Sequence, residues 1–380
     1  MPKLQLKNKK KMMTQRLSLL ALLLIVNVMA FGQAEFWTPL SQDKLSKAEG
    51  ESRYHPDVAQ TYRLDFNALK KALSACPPEG SKQGTLLTLP MADGEMMDFE
   101  FFDSPVMAPG LAAKYPDIKT FYGRSVSNPL IHGRFDFSNV GFHGYLLGVG
   151  NPVIIEPFKQ NNTLYQVFFR KDLHDRKNPE SSFICDVATE NQGISLDDTP
   201  IKNKEITLTH PETEEVQLRK YRLAVATTGE YSARFGSTKP TVLAEVVNVV
   251  NRVNSIIGRD FAIRFELIDN TDTLFNFDAQ TDPYTNGNTS AMINENPTAL
   301  NNKIPFSSYD IGHVLGTNAG GLAQIQSICG GNKARGVTSA GGIDGDEFYV
   351  DYVAHEMGHQ LGSNHTFNNC SGFAGGNENP

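Results

Sequence analysis

In the first half of the chain, apolar and polar residues alternate over short runs. From residue 84 to residue 187 these runs are interrupted by Gly, Pro, Asn and Asp. This pattern is typical of short β-strands joined by turns. The clearest runs are residues 85–89, 144–148 and 165–169. Before them, residues 65–75 place their apolar side chains at helical spacing and stop at Pro77, which indicates a short helix. We therefore expect a β-rich domain over residues 33–187.

The pattern disappears between residues 188 and 216. This stretch is polar and acidic, with turn signals at Asp197-Asp198 and at Pro200. Such a composition is typical of a linker that a protease can reach. The segment therefore separates the β-rich domain from the rest of the chain and is a predicted site of activation cleavage.

After the linker, strand and helix patterns alternate. Residues 218–227 predict a strand, and a long helix follows from Pro240 to Ile257, where Gly258 is the expected stop. Residues 261–268 alternate as a second strand. One face of that strand carries Phe261, Ile263, Phe265 and Leu267. A strand, a helix and a strand in this order predict parallel pairing with a right-handed crossover.

The remaining pattern completes this second domain. It predicts a weaker helix interrupted by Pro297, two strands, and a last helix. Their ranges are 291–302 for the weak helix, 309–315 and 320–324 for the strands, and 348–361 for the last helix. The expected fold class for residues 217–380 is α/β, with a mixed, mostly parallel twisted sheet and two long helices.

The first 32 residues have the three parts of a secretory signal peptide. A basic leader precedes an apolar run at residues 17–31, and cleavage after Gly32 would expose Gln33. An uncleaved membrane anchor is the alternative, but the run is shorter than the ~20 residues of a spanning helix and Asn27 interrupts it. We expect a secreted, extracellular protein without membrane attachment after cleavage. The net charge of -7 argues against a nucleic-acid partner.

The residues that could bind a metal ion and catalyse a reaction are concentrated in one stretch, His355 to His365, with the pattern H-E-x-x-H-x-x-G-x-x-H. Positions i and i+4 share a helix face, so His355 and His359 can present two imidazoles to one metal ion. Gly362 accepts the left-handed conformation that ends a helix and returns His365 as third ligand. Three protein ligands with one open position are typical of catalytic zinc.

Some H-E-x-x-H enzymes use a downstream glutamate as the third ligand, and Glu378 lies at about that distance. Such a glutamate stands on a second helix. The residues between, 371–377, contain adjacent glycines and no helical period, which favours a loop. His365 is therefore the preferred ligand.

The stretch H-E-M-G-H-Q-L-G-S-N-H-T-F resembles the metzincin clan of zinc peptidases, particularly its reprolysin-like (adamalysin-like) branch. Residues 221–231 and 320–338 are similar to segments of secreted bacterial members. The resemblance implies an endopeptidase with Zn²⁺ on His355, His359 and His365. It implies that Glu356 is the general base, which takes a proton from the zinc-activated water and passes it to the leaving amine.

Two further features depend on this resemblance. An edge strand at Gly320, Gly321, Leu322 and Ala323 could bind substrate as an added strand, although a plain Gly-rich loop fits the same residues. Metzincins also carry a methionine turn after the third histidine. This chain has no methionine after Met357 and ends fifteen residues past His365. We expect a longer precursor whose downstream residues complete the site, so the activity of the 380-residue chain is uncertain.

The four cysteines, Cys76, Cys185, Cys329 and Cys370, are too few for a disulfide scaffold. Cys185 precedes the linker and could hold the zinc as a cysteine switch, or it could be a disulfide or buried thiol. Cys329 and Cys370 flank the metal-binding helix and are predicted to pair, unless Cys370 pairs beyond the chain end.

Asp344 and Asp346 could bind calcium, although two carboxylates in a Gly-rich loop are usually a solvated turn.

Taken together, these features predict the precursor of a secreted, monomeric zinc endopeptidase that acts on protein or peptide substrates, with residues 33–187 as its propeptide. The alternative is a secreted binding or adhesion protein with a non-functional metallopeptidase-like domain. Zinc content and casein cleavage distinguish the two.

Overall fold

A computed structural model describes residues 36–41, 54–148, 150–158, 163–173, 216–342 and 345–365, and the backbone of 185–188. The predicted signal peptide, almost all of the predicted linker, Cys370 and Glu378 lie outside these residues. The described chain forms two sheets, one before the linker and one that lies mostly after it.

The first sheet has nine strands, and every pair in it is antiparallel. Its strands are β1 Trp37–Leu40, β2 Gln60–Leu64, β3 Thr85–Pro90, β4 Met96–Asp103, β5 Lys119–Ser125, β6 His132–Ser138, β7 Gly141–Leu147, β8 Val153–Pro157 and β9 Leu164–Phe169. Their order is β1-β2-β9-β8-β7-β6-β5-β4-β3. The three strands predicted from alternation lie in β3, β7 and β9. We call residues 36–173 the N-terminal domain.

Helices α1 (Phe66–Leu73) and α2 (Pro109–Lys114) and a 3-10 turn (Arg170–Asp172) accompany this sheet. The core on one face is aromatic, because the strands place phenylalanines at alternate positions. Phe99, Phe101, Phe135 and Phe142 are all fully buried there. The predicted helix is α1, and Asp65 caps it by accepting the Ala68 N–H at 3.0 Å.

The second sheet has six described strands in the order β10-β14-β15-β13-β11-β12. They are β10 Cys185–Ala188, β11 Arg219–Thr227, β12 Ile263–Leu267, β13 Ile311–Leu315, β14 Gly321–Gln324 and β15 Gly336–Thr338. Only β14 and β15 pair antiparallel among them, so the sheet is mixed and mostly parallel, as predicted. β10 comes from before the linker, yet it pairs in this second sheet.

The helices of this part are α3 Gly229–Arg234, α4 Lys239–Phe261, α5 Thr289–Asn301, a π-helical segment Glu347–Val353 and α6 Ala354–Leu361. Two 3-10 turns occur at Thr271–Thr273 and Phe306–Ser308. We call residues 216–365 the metal-site domain, and residues 347–361 the metal helix. Among the described helices, none has the length and apolar character needed to cross a membrane.

The long helix α4 connects β11 to β12, which pair in parallel as predicted. Thr238 caps its start by accepting the Thr241 N–H, with Pro240 in the first turn. The predicted stop at Gly258 is wrong. Gly258 stays helical, because glycine allows the backbone conformation that ends a helix but does not require it. The helix ends instead at Ala262, which has a left-handed φ of 53° where the chain turns into β12.

Two other boundaries differ from the sequence prediction. Phe261 is the last residue of α4 and is 57% exposed, so it does not lie on the β12 face. Pro297 lies inside α5 without interrupting it. Pro297 removes only one N–H from the helix, and buried Met292, Ile293 and Leu300 hold both halves of α5 in one apolar cluster with the sheet.

Candidate metal centre

The metal helix lies against the second sheet, and its sequence explains which face is buried. Val353, Met357 and Gln360 recur at helical spacing and are buried. The helix begins with the π-helical segment 347–353 and continues as α6. It ends at Gly362, whose φ of 112° is the left-handed conformation predicted for it. Beyond this glycine the chain turns and brings His365 back toward the helix.

The structure brings the three predicted histidines together at one point. The His355 and His359 Nε2 atoms are 3.0 Å apart, and His365 Nε2 is 3.1 Å from each of them. They form the only group of three or more potential metal ligands among the described residues. Ligands around a tetrahedral ion at about 2.0–2.1 Å stand roughly 3.3–3.4 Å apart, so this triangle of nitrogens fits zinc.

The backbone orients one of these rings. His359 donates its Nδ1–H to the Ser363 carbonyl oxygen at 2.7 Å. This bond fixes the tautomer in which Nε2 carries the lone pair, as metal-binding histidines require. The turn created by Gly362 places Ser363 where it can accept this bond.

The environment favours neutral imidazoles. Burial, with the neighbouring His359 and His365, lowers the pKa of His355 to about 4. Burial also lowers the pKa of His359, although the bond to Ser363 opposes that shift. Neutral rings keep their lone pairs available, so at neutral pH these two side chains are ready to bind a cation.

Glu356, adjacent to His355 on the metal helix, is 0% exposed. Glu356 lies in the same short helix as His355 and His359, so the helix fixes its backbone position relative to theirs. A buried carboxylate beside a cation site is the residue type that general-base chemistry uses.

A polar cluster that the sequence analysis missed anchors the metal helix to the sheet. Gln360 is fully buried and donates its amide to the Gly312 carbonyl oxygen at 3.0 Å. Its Oε1 lies 2.9 Å from His313 Nδ1, and His313 Nε2 lies 2.9 Å from Thr338 Oγ1. Because Gln360 Oε1 can only accept, His313 carries its proton on Nδ1 and accepts from Thr338. The sequence signal for this cluster was a polar residue at a buried position in β13 and another in the metal helix.

The predicted substrate strand is β14, and it lies next to the metal helix. The Gln326 N–H just after β14 donates to the His359 carbonyl oxygen at 3.0 Å. Gly321, Leu322 and Ala323 are buried, and the Gly320 carbonyl oxygen accepts the Ser339 N–H at 2.9 Å. The residues form a strand and not a plain Gly-rich loop.

β14 is not the sheet edge, however. β10 pairs with it in parallel, with Cys185 opposite Gly321 and Ala188 opposite Gln324. The edge position expected for β14 is therefore occupied by a strand that precedes the linker.

The other predicted residues lie elsewhere. Cys185 is placed by its backbone alone, as the first residue of β10. Cys329 is exposed, and its predicted partner Cys370 is outside the described residues. Asp344 is also outside them. Asp346 is 1% exposed and bonded to Arg170 and Arg252, so the interpretation as a solvated turn is wrong.

Comparisons with known proteins agree with the sequence resemblance. Residues 243–366 match the model of the family described as metallo-peptidase family M12B, reprolysin-like. The predicted resemblance is thus confirmed for this stretch, which contains most of α4, the metal helix and all three histidines. A comparison with solved structures found the crystal structure of metalloproteinase-II from Bacteroides fragilis. The TM-score is 0.46 with 10% identity, covering 80% of this chain and 87% of that chain. The search of curated proteins found no match.

Proposed function

We propose that the chain is the precursor of a secreted zinc-dependent endopeptidase, with His355, His359 and His365 as metal ligands. The observation that carries the proposal is the meeting of three Nε2 atoms within 3.1 Å of one another on a stretch that matches the reprolysin-like family. A bound zinc ion would supply a Lewis acid that lowers the pKa of water to about 7 and polarises a carbonyl.

Glu356 would act as the general base. Its carboxylate would accept a proton from the water that attacks the peptide carbonyl carbon, and would return that proton to the amine nitrogen as the peptide bond breaks. Glu356 is 0% exposed, so bulk water is excluded from its carboxylate. Protein or peptide substrates would lie extended along β14, whose backbone runs beside the metal helix.

We also propose that the described chain is the latent form. β10 occupies the outer side of β14, so a substrate strand cannot pair there until β10 leaves. Export by residues 1–32 and cleavage within 188–216 would precede activity. In this latent form Cys185, the first residue of β10, would be a zinc ligand.

The test is zinc content together with peptide cleavage, for protein expressed from its complete coding sequence, cut within residues 188–216 and then separated from its N-terminal fragment. We expect one zinc per chain and cleavage of casein. The His359→Ala and His365→Ala variants should lose both zinc binding and casein cleavage. A protein that holds zinc and cleaves no peptide would refute the enzyme and favour a secreted binding protein.

A further inference from the structure

The N-terminal domain extends the metal-site sheet at the edge opposite β10. Met107 forms a parallel bridge with Leu267 of β12, the outer strand on that side. The Leu267 N–H donates to the Val106 carbonyl oxygen at 2.7 Å, and the Ala108 N–H donates to the Leu267 carbonyl oxygen at 2.8 Å. Residues that precede the linker therefore cover both edges of the second sheet.

Apolar side chains continue this contact into the core of the metal-site domain. Four N-terminal residues, each at most 4% exposed, belong to the same buried cluster as the side chains of β11, α4 and β12: Val106, Met107, Leu111 and Ile118. This cluster belongs to neither domain alone. Removal of the N-terminal domain would expose these side chains and the β12 surface to water, which opposes separation.

Helix α2 is held by the metal-site domain. Asp269 accepts the Gly110 N–H at 2.7 Å and the Leu111 N–H at 3.2 Å, so a carboxylate from one domain caps a helix of the other. Lys114 Nζ reaches the Asp269 carbonyl oxygen at 2.9 Å. A Cβ added at Gly110 would lie 2.7 Å from Asp269 Oδ1, so this contact has no room for a larger residue.

A group of charged side chains, which we call the charge lock, makes the third contact; Glu156, Arg252 and Asp346 in it are buried. It consists of Arg170 and Glu156 from the N-terminal domain, and Arg252, Asp346 and Asp351 from the metal-site domain. Arg252 is 3% exposed and donates to Glu156 at 2.6 Å and to Asp346 at 3.0 Å. Arg170 donates to Asp346 at 2.5 Å and to Asp351.

The apolar cluster and the charge lock have different physical roles. The apolar cluster supplies affinity, because its burial is favourable in any arrangement that excludes water. The charge lock supplies register, because a shifted docking would leave a buried charge without its partner. Asp346 and Asp351 lie at the start of the metal helix, so the correct docking is tied to the element that carries the histidines.

We propose that the N-terminal domain, together with β10, stays bound to the metal-site domain as a separate subunit after the linker is cut. The occupant of this surface is residues 36–188 of the same chain. β10 belongs to this fragment and stays bound with it, so cutting the linker alone does not uncover β14. The inference relies on the proposed function only for the place of the cut.

The test uses the chain with Glu356→Gln and a specific protease site inserted between Asp197 and Asp198. After the cut, gel filtration and native mass spectrometry at micromolar concentration should show both fragments in one 1:1 complex. Two separately eluting fragments would overturn the proposal. Because no peptidase activity is measured, this result is independent of whether the chain is an enzyme.

Two variants test the assigned surface. Arg170→Glu places a like charge against Asp346 and Asp351, and should raise the Kd of the cut fragments by about 30-fold or more. Lys171→Glu makes the same charge change on an exposed neighbour and should leave the Kd unchanged. Gly110→Ala, which removes no charge, should also weaken the complex. If both interface variants keep the Kd of the parent chain, the surface is wrongly assigned.

Discussion

Gly336 shows how one residue fixes the position of the metal helix. A Cβ at Gly336 would lie 2.2 Å from Gln360 Oε1, closer than real contacts allow. Gly336→Ala should therefore displace Gln360 and lower the free energy of unfolding by about 1–3 kcal/mol, the usual cost of overpacking a core. Urea unfolding measures the free energy of unfolding of this variant and of the parent chain. Gly331→Ala is the matched control, because a Cβ there meets nothing within 4 Å and stability should be unchanged. Equal stability of the two variants would contradict the tight packing of Gln360.

His313 should make the fold sensitive to acid. Burial lowers its pKa to about 4, despite the bond to Gln360 that opposes the shift. An unfolded histidine has a pKa near 6.5, so between these values the unfolded state binds more protons. The free energy of unfolding should thus fall by about 3 kcal/mol from this residue as pH drops from about 6.5 to about 4.

The measurement is urea unfolding between pH 7 and pH 4 for the parent chain and for His313→Asn. Asparagine can replace the Nδ1–H donor to Gln360 but does not titrate. The parent should lose stability with falling pH more steeply than the variant. Parallel curves would show that His313 does not supply this dependence.

At the scale of elements, the left-handed end of the metal helix predicts a contrast between two glycines. Gly362 has φ 112°, which strains any L side chain, and it directs His365 toward the other ligands. Gly362→Ala should cost about 1–3 kcal/mol of strain and raise the Kd for zinc by at least about tenfold.

Gly358 is the control for this change. It lies inside the helix, and a Cβ there meets nothing within 4 Å. Gly358→Ala should therefore keep zinc affinity and gain about 0.5–1 kcal/mol of stability. Chelator competition measures the zinc Kd of both variants. If Gly362→Ala binds zinc like the parent, the turn does not position His365.

The elements also show what the sequence could predict. The H-E-x-x-H spacing, Gly362 and the alternation of β12 are local signals, and the structure places the metal helix, its end and the parallel β11–α4–β12 unit accordingly. The true end of α4 at Ala262 was not predictable, because nothing in the residue type of alanine favours φ 53°. The end is set by where β12 must begin.

Long-range pairing was the other feature beyond sequence reasoning. The four residues of β10 carry no periodic pattern that assigns them to one sheet or the other, and only the fold pairs them with β14. The charge lock joins residues up to 181 positions apart in sequence. Gln360 and His313 could have been noticed as polar residues at apolar positions, but their partnership depends on the helix docking on the sheet.

At the scale of the whole molecule, residues that precede the linker cover parts of the metal-site domain, including both edges of its sheet. The N-terminal domain reaches one edge of the metal-site sheet and β10 covers the other, while Arg170 holds the start of the metal helix through Asp346 and Asp351. β10 covers β14, while the apolar cluster and the charge lock hold the N-terminal domain at the opposite edge and at the metal helix.

In the proposed enzyme, Glu356 works beside a metal held by the three histidines. The most direct measurement is kcat/KM for a fluorogenic peptide, with zinc content, for the activated parent and for Glu356→Gln. The substitution removes the base and none of the ligands. Zinc should stay at one per chain while kcat/KM falls by about 10²–10⁴-fold. A Glu356→Gln protein that holds zinc and cleaves the peptide as fast as the parent would contradict the account.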